Sequence, residues 1–276
     1  MFQKSVPTNR VSSAVNLAEL VYHNTVRSIR KAHGNAFMSI AISVFQSLMF
    51  VLFFYAMFTI MGLKGLALRG DFVIFLLTGI FMFMTHNKAV GAVFGSEGPS
   101  SPMMQHAPMN TFVSIASGMI STLYIQVLAM ILILFVYDVA MNPYVLTEIV
   151  DPVPVFGMLL LSWISGGAVG LVFLAMKPWF PGFTGTLATL YKRANMIASG
   201  KMFVANSLPA FMVSMFDWNP LFHTIDQARG FAFINYVPRN SNWEYVMYLT
   251  LVLLMIGLMG EFYTRKHASA SWSARR

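Results

Sequence analysis

Apolar residues in this chain fall into long blocks without charge, each closed by polar or helix-breaking residues. Residues 36–61 hold no charged side chain and give way to the polar turn 62–71. Residues 72–94 form a second block, clean until His86, Asn87 and Lys88, which sit where a side chain snorkels to an interface. The third block, 112–137, is uncharged throughout; the fourth, 154–176, contains Ser165, Gly166, Gly167 and Gly170, small residues that let a neighbouring helix approach closely. Lys177-Pro178-Trp179-Phe180-Pro181 ends it, because proline disfavours helix at its own position and at the one before. A last block covers 245–262. Uncharged apolar runs of about 18 residues or more are long enough to cross a bilayer, so these blocks predict transmembrane helices.

Two stretches break the pattern. Residues 182–204 are hydrophobic in outline but carry Lys192, Arg193 and Lys201. Charge facing lipid is costly, so as a fifth span this helix turns its cations to the bundle interior or to water. Within 206–233, two apolar runs, 208–215 and 221–233, are split by Asp217-Trp218-Asn219-Pro220. Each is too short to cross, so both read as re-entrant or interfacial helices. The expected fold is an all-α membrane protein with six transmembrane helices over residues 36–263, and a basic tail at 264–276.

Residues 1–35 carry a different periodicity. Val15, Ala18, Tyr22, Val26 and Ile29 recur at intervals of three and four, while Asn16, Glu19, His23, Arg27, Arg30 and Lys31 take the other side, and Leu17 and Leu20 fall off the stripe. A basic amphipathic helix of this kind suits a membrane surface, with Arg27, Arg30 and Lys31 towards anionic headgroups. An ordinary solvated helix is the plainer alternative. No short apolar core with a small-residue cleavage site is found there, so no signal peptide is expected.

Composition agrees with the pattern. Of 276 residues, 57% are hydrophobic and 10% charged, against about 25% charged in a soluble chain, and mean hydropathy is +0.65. An ordinary soluble domain, a disordered chain and a fibre are excluded. The net charge of +8 reports topology before it reports a nucleic-acid partner. With six crossings, Lys4, Arg10, Arg27, Arg30, Lys31, Lys88, Lys177, Arg265, Lys266, Arg275 and Arg276 share the side of both termini; Lys64, Arg69 and Arg239 lie opposite. Both termini are therefore expected in the cytoplasm, and the acidic loop of Asp138, Glu148 and Asp151 outside. The absence of cysteine excludes disulfides, thiolate metal sites and a cysteine nucleophile.

Catalytic patterns are missing from the sequence. Ser199-Gly200-Lys201-Met202 lacks the upstream glycine and the hydroxyl residue of a phosphate-binding loop. The histidines at 23, 33, 86, 106, 223 and 267 show no metal-ligand spacing, and neither Ser165-Gly166-Gly167 nor Ser199-Gly200 sits in a nucleophile elbow. Apart from Asp226 in the second short run, every Asp and Glu falls at an end of a block or in a loop, which disfavours a proton-driven carrier. Transport against a gradient then needs a separate motor, and the loop 95–108, GSEGPSSPMMQHAP, is the natural contact for it; an inert connector is the alternative.

The C-terminal third, with Arg193, Ser199-Gly200, Leu208-Pro209, Asn219-Pro220-Leu221, His223 and Arg229, resembles the integral membrane subunit of ABC-2 type polysaccharide exporters, the permeases for capsular polysaccharide, O-antigen and teichoic acid. The likeness extends loosely over the whole chain. It implies a homodimer paired with two copies of an ATPase, which bind ATP and magnesium, while this chain holds no cofactor and is no enzyme. It implies ATPase contact at Glu97, Pro99, Ser101, Met104, Gln105 and His106, with the amphipathic helix at the cytoplasmic face. Pro209, Asn219, Pro220, His223 and Arg229 become gate residues on re-entrant helices, and periplasmic or outer-membrane export proteins are further partners. The place is the bacterial inner membrane, the cargo a polysaccharide.

Lys192, Arg193 and Lys201 depart from that pattern and suit either an acidic glycan or water-facing helix ends. Phe54 and Phe58, with Phe50, lie at helical spacing and suit a stacking track for sugar rings, although phenylalanine also faces lipid; Tyr191 beside the cations adds a hydroxyl for a polar substrate. Phe54, Phe58, Tyr191, Lys192 and Arg193 are the candidate path. An ABC-2 exporter of a drug or lipid, and a membrane enzyme acting on lipid or glycan precursors, are the competing functions.

Overall fold

The computed structural model describes residues 10–31, 35–62, 68, 70–98, 110–143 and 145–267. Nine α-helices are described: α1 (Arg10–Lys31), α2 (Ala36–Ile60), α3 (Phe72–Phe94), α4 (Thr111–Ala140), α5 (Pro152–Met176), α6 (Pro181–Ala198), α7 (Ala210–Phe216), α8 (Pro220–Ala232) and α9 (Trp243–His267). Their starts are written locally. Asn35, Asp71, Asn110 and Asn219 each accept a backbone N–H in the first turn of the helix they precede, and α5, α6 and α8 open with proline, whose missing N–H costs nothing there.

Five helices, α2, α3, α4, α5 and α9, are long and apolar enough to cross a membrane. The chain is a multi-pass membrane protein, and α6 is not among those five. It stops at Ala198, short of the expected 204, because Gly200 turns the backbone into the left-handed region at φ 77°. Its length of 18 residues also includes Thr184, Thr186, Thr189, Lys192, Arg193 and Asn195.

Helices α3 and α5 form the enclosed centre. They run parallel and very close, since a Cβ on Gly166 would lie 2.4 Å from the His86 carbonyl oxygen and one on Gly170 would lie 2.8 Å from that of Val90. The small residues of the fourth block are the contact that brings these helices together. Helix α9 packs along α5 in the same direction through Gly257 over Leu171 and Gly260 over Ala175. Helices α2 and α4 cover α3, with Phe50 stacked on Phe83, Phe58 edge-on to Phe75, and Gly118 of α4 against the Ala92 carbonyl, while the Trp163 indole of α5 donates to the Met119 carbonyl of α4 at 3.0 Å.

Helix α8 lies antiparallel to the first half of α5. Ser162 donates to Thr224 at 2.8 Å, and at the bundle end Val150 N and Asp151 N donate to the carbonyls of Ala232 and Phe231. The segment after α6 reaches that same end, where Asn206 bonds Val237 and Arg239 and Asn240 bonds Ala205. The end of α9 and the contact of α1 with the start of α4 both lie at the opposite end.

Candidate translocation site

The resemblance motif assembles around the break in α6. Arg229 of α8 is 1% exposed, and its guanidinium donates to the carbonyls of Gly200 (2.9 Å), Phe203 (2.6 Å) and Lys201 (2.8 Å) while lying 4.0 Å from the Phe75 ring centroid. These carbonyls are freed by the break in the helix after Ala198, and a delocalised cation with several fixed donors is suited to collecting them. Gly79 of α3 makes the room, since a Cβ there would stand 2.9 Å from both Arg229 Nη2 and the Lys201 oxygen.

Asn219 ties the start of α8 to the end of α6. Its oxygen caps α8 by accepting Leu221 N at 3.0 Å; its amide nitrogen donates to Asn195 Oδ1 and to the Ala198 carbonyl, each at 3.0 Å. Asn195 donates onward to Asn87 of α3 at 3.2 Å. Three asparagines thus link α3, α6 and α8 in one line. Pro209 precedes α7 and Pro220 is the first residue of α8.

His223 accepts Asn242 N on Nδ1 at 3.0 Å, so the proton sits on Nε2, which donates to the Asp217 carbonyl. Asp226 accepts from the hydroxyls of Tyr236 and, at 2.7 Å, Ser241. Burial, with the Asp226 carboxylate beside it, pushes the Tyr236 phenol well above its ordinary range. The connection from α8 to α9 is therefore strapped to α8 by a polar network.

His86 corrects a sequence expectation. It is fully buried and does not reach an interface. Nδ1 lies 3.0 Å from the Ser162 carbonyl and 3.1 Å from Ser165 Oγ; Nε2 lies 2.8 Å from the Tyr191 hydroxyl. The carbonyl only accepts, so Nδ1 carries the proton and Nε2 accepts from Tyr191. The histidine joins α3, α5 and α6. Periodicity placed the residue on a span, yet its role depended on a helix 105 positions away.

The candidate path residues separate into two groups. Tyr191 is in this junction, whereas Arg193 is exposed and Lys192 half-buried on the far side of α6. Neither cation meets a carboxylate among the described residues. Phe54 and Phe58, 2% and 6% exposed, are packed in the aromatic core. Lys201 is also enclosed, its amine donating to the Met196 carbonyl and lying 4.2 Å from the Phe83 centroid and 5.6 Å from that of Phe54.

At the other end of the bundle, α1 packs on α4, with Asn24 donating to Ser117 at 2.6 Å and Ser28 facing Ser114 across a pocket. Its apolar stripe is turned aside, and Val15 and Tyr22 are 59% and 65% exposed. Arg27 and Glu97 share a pocket of about 260 Å³ with Ser28, Ser96 and Ser114, and Glu97 N donates to Ser114 Oγ at 3.1 Å. Arg30 is exposed and Lys31 is the last residue of α1. Pro99, Ser101, Met104, Gln105 and His106 lie outside the described residues.

These features define a multi-pass helical membrane protein in which a broken helix and two short helices close one end of the bundle. No family model matches the chain. Among curated proteins, two polysialic acid transport proteins KpsM of Escherichia coli are each 28% identical to it over 192 residues, 68% of this chain and 71% of the relative. This homology bears out the resemblance to the membrane subunits of ABC-2 polysaccharide exporters.

Proposed function

We propose that this chain is the permease subunit of an ATP-driven transporter that exports a polysaccharide across the bacterial inner membrane. The observation that carries this reading is the α6–α8 junction: Asn219 bonds the Ala198 carbonyl and Arg229 the Gly200 carbonyl, so residues of the resemblance on α8 hold the turn after α6. Homology to a polysialic acid transporter supports it independently. In this reading α7 and α8 are re-entrant gate helices, α6 with the segment after it completes a sixth crossing, and both termini are cytoplasmic.

The exposed apolar stripe of α1 lies in the membrane surface, and Arg27, Arg30 and Lys31 meet headgroups. Glu97 and the loop after it receive the push of two ATPase copies, and two copies of this chain enclose the conduit. Lys192 and Arg193, without carboxylate partners among the described residues, face the path and suit an acidic polymer. A sugar track on Phe54 and Phe58 requires α2 to part from α3 during the cycle.

The test combines a mild-detergent pull-down of the tagged chain with glycan staining of a deletion strain. A co-purifying ATPase, with surface glycan lost in the deletion and restored by the gene, is expected. Normal surface glycan in the deletion strain overturns the reading.

A further inference from the structure

Gln126 stands midway along α4, fully buried, and neither its Oε1 nor its Nε2 has a hydrogen-bond partner among the described residues. Thr85 of α3 is equally buried, with its Oγ1 likewise unpartnered. Three contacts fix the antiparallel register of these helices: Glu97 N bonds Ser114, a Cβ on Gly118 would lie 3.5 Å from the Ala92 carbonyl, and Phe81 and Met130 line one cavity. That register sets Thr85 and Gln126 at the same height, in the middle of the bundle.

Neighbouring hydroxyls behave differently. Ser117, Ser121 and Thr122 of α4 each donate to a carbonyl three residues back, and Thr78, two turns before Thr85, donates to Ile74 at 3.0 Å. An unpaired buried polar atom costs about 1–3 kcal/mol, and Gln126 and Thr85 bring three of them to one level of the bundle. Within a turn along both helices, α3, α4 and α5 enclose a cavity of about 310 Å³ walled by Phe81, Met82, Val127 and Met130, which Thr85 and Gln126 do not themselves line.

We infer that Thr85 and Gln126 form a hydroxyl-binding station of the translocation path, closed in this state and opened when α4 parts from α3. The inference rests on the export reading above. A primary amide offers one acceptor and two donors without charge, and a threonine hydroxyl adds one of each, which matches adjacent hydroxyls of a sugar ring. The apolar cavity wall receives the C–H face of the same ring. This station is neutral and distinct from Lys192 and Arg193, so it grips hydroxyls whatever the charge of the polymer.

Because the chain has no cysteine, Gln126→Cys and Thr85→Cys each place a single thiol at the station. In proteoliposomes holding the permease with its ATPase, labelling by a water-soluble maleimide is slow at rest and rises several-fold on adding ATP and glycan. Gln126→Leu raises the thermal midpoint, because it removes unpaired polar atoms, yet lowers export several-fold with ATP hydrolysis retained; Thr85→Val moves both in the same directions. Thiols that stay unlabelled in every state, or a Gln126→Leu chain that is more stable and exports normally, overturn the station and leave a sealed polar pair or an internal water. Where Gln126→Leu fails to insert, Thr85→Val and the labelling decide. Export by the unaltered chain in the same vesicles separates this outcome from failure of the export reading, in which that chain also moves no glycan.

Discussion

Helices α9 and α6 are held to the α3–α5 centre in opposite ways. Helix α9 follows α5 through glycine contacts, Gly257 on Leu171 and Gly260 on Ala175, closed by Trp179 donating to Thr264 and Thr264 to the Ala175 carbonyl. Helix α6 touches α3 and α5 more sparsely and relies on polar ties, Tyr191 to His86 and Asn195 to Asn87. Dispersion contacts along a whole helix fade quickly on separation and must be lost together, whereas a few hydrogen bonds can be exchanged with water or substrate one at a time. The contrast separates a helix held by continuous packing from one held largely by exchangeable polar ties.

The strongest way to break it is at the centre both helices lean on. Gly166→Val puts carbon against the His86 backbone carbonyl, where no flexible side chain can yield, and is expected to abolish accumulation of the protein in membranes. Gly257→Ala meets only the Leu171 side chain and should leave membrane yield measurable, with a lowered thermal midpoint. Arg229→Ala strands three carbonyls and should destabilise by about 3 kcal/mol or more, read as a fall in thermal midpoint, with Arg229→Lys restoring little because one ammonium cannot serve the same fork.

Tyr191→Phe sharpens the comparison on the side of the polar ties. It removes one tie of α6 at about 1 kcal/mol, and should change export far more than stability. Arg193→Ala, on the exposed side of α6, should leave the thermal midpoint unchanged and lower glycan output; normal output would assign this cation to the membrane interface. Glu97→Lys should leave insertion and stability alone while uncoupling ATP hydrolysis from export, measured as hydrolysis without glycan release.

Much of the fold was legible. The expected spans 36–61, 72–94, 112–137, 154–176 and 245–262 correspond to α2, α3, α4, α5 and α9 with ends shifted by a few residues. The two short runs became α7 and α8. The end of α6 was misplaced because hydropathy continues through Met202 and Phe203, while the helix is halted by Gly200 and the turn after it is held by Arg229. His86 was misread as an interface residue because its partners belong to α5 and α6. On α1 the apolar stripe was visible, but the side that meets α4 is the polar one carrying Asn24 and Ser28.

What the sequence by itself determined was which segments are apolar enough to leave water, where their caps and prolines start them, and that no charge is spent within most of them. Those properties are sums over neighbouring residues, so they survive without knowledge of the fold. Only the tertiary structure decided which polar side chains are shared between helices: Arg229 with the turn after α6, Asn219 with Asn195, His86 with Tyr191, and Gln126 with no partner among the described residues. Each pairing depends on the depth and rotation at which separate helices meet, and that register is set by glycines on helices remote in the chain, a relation no local window contains.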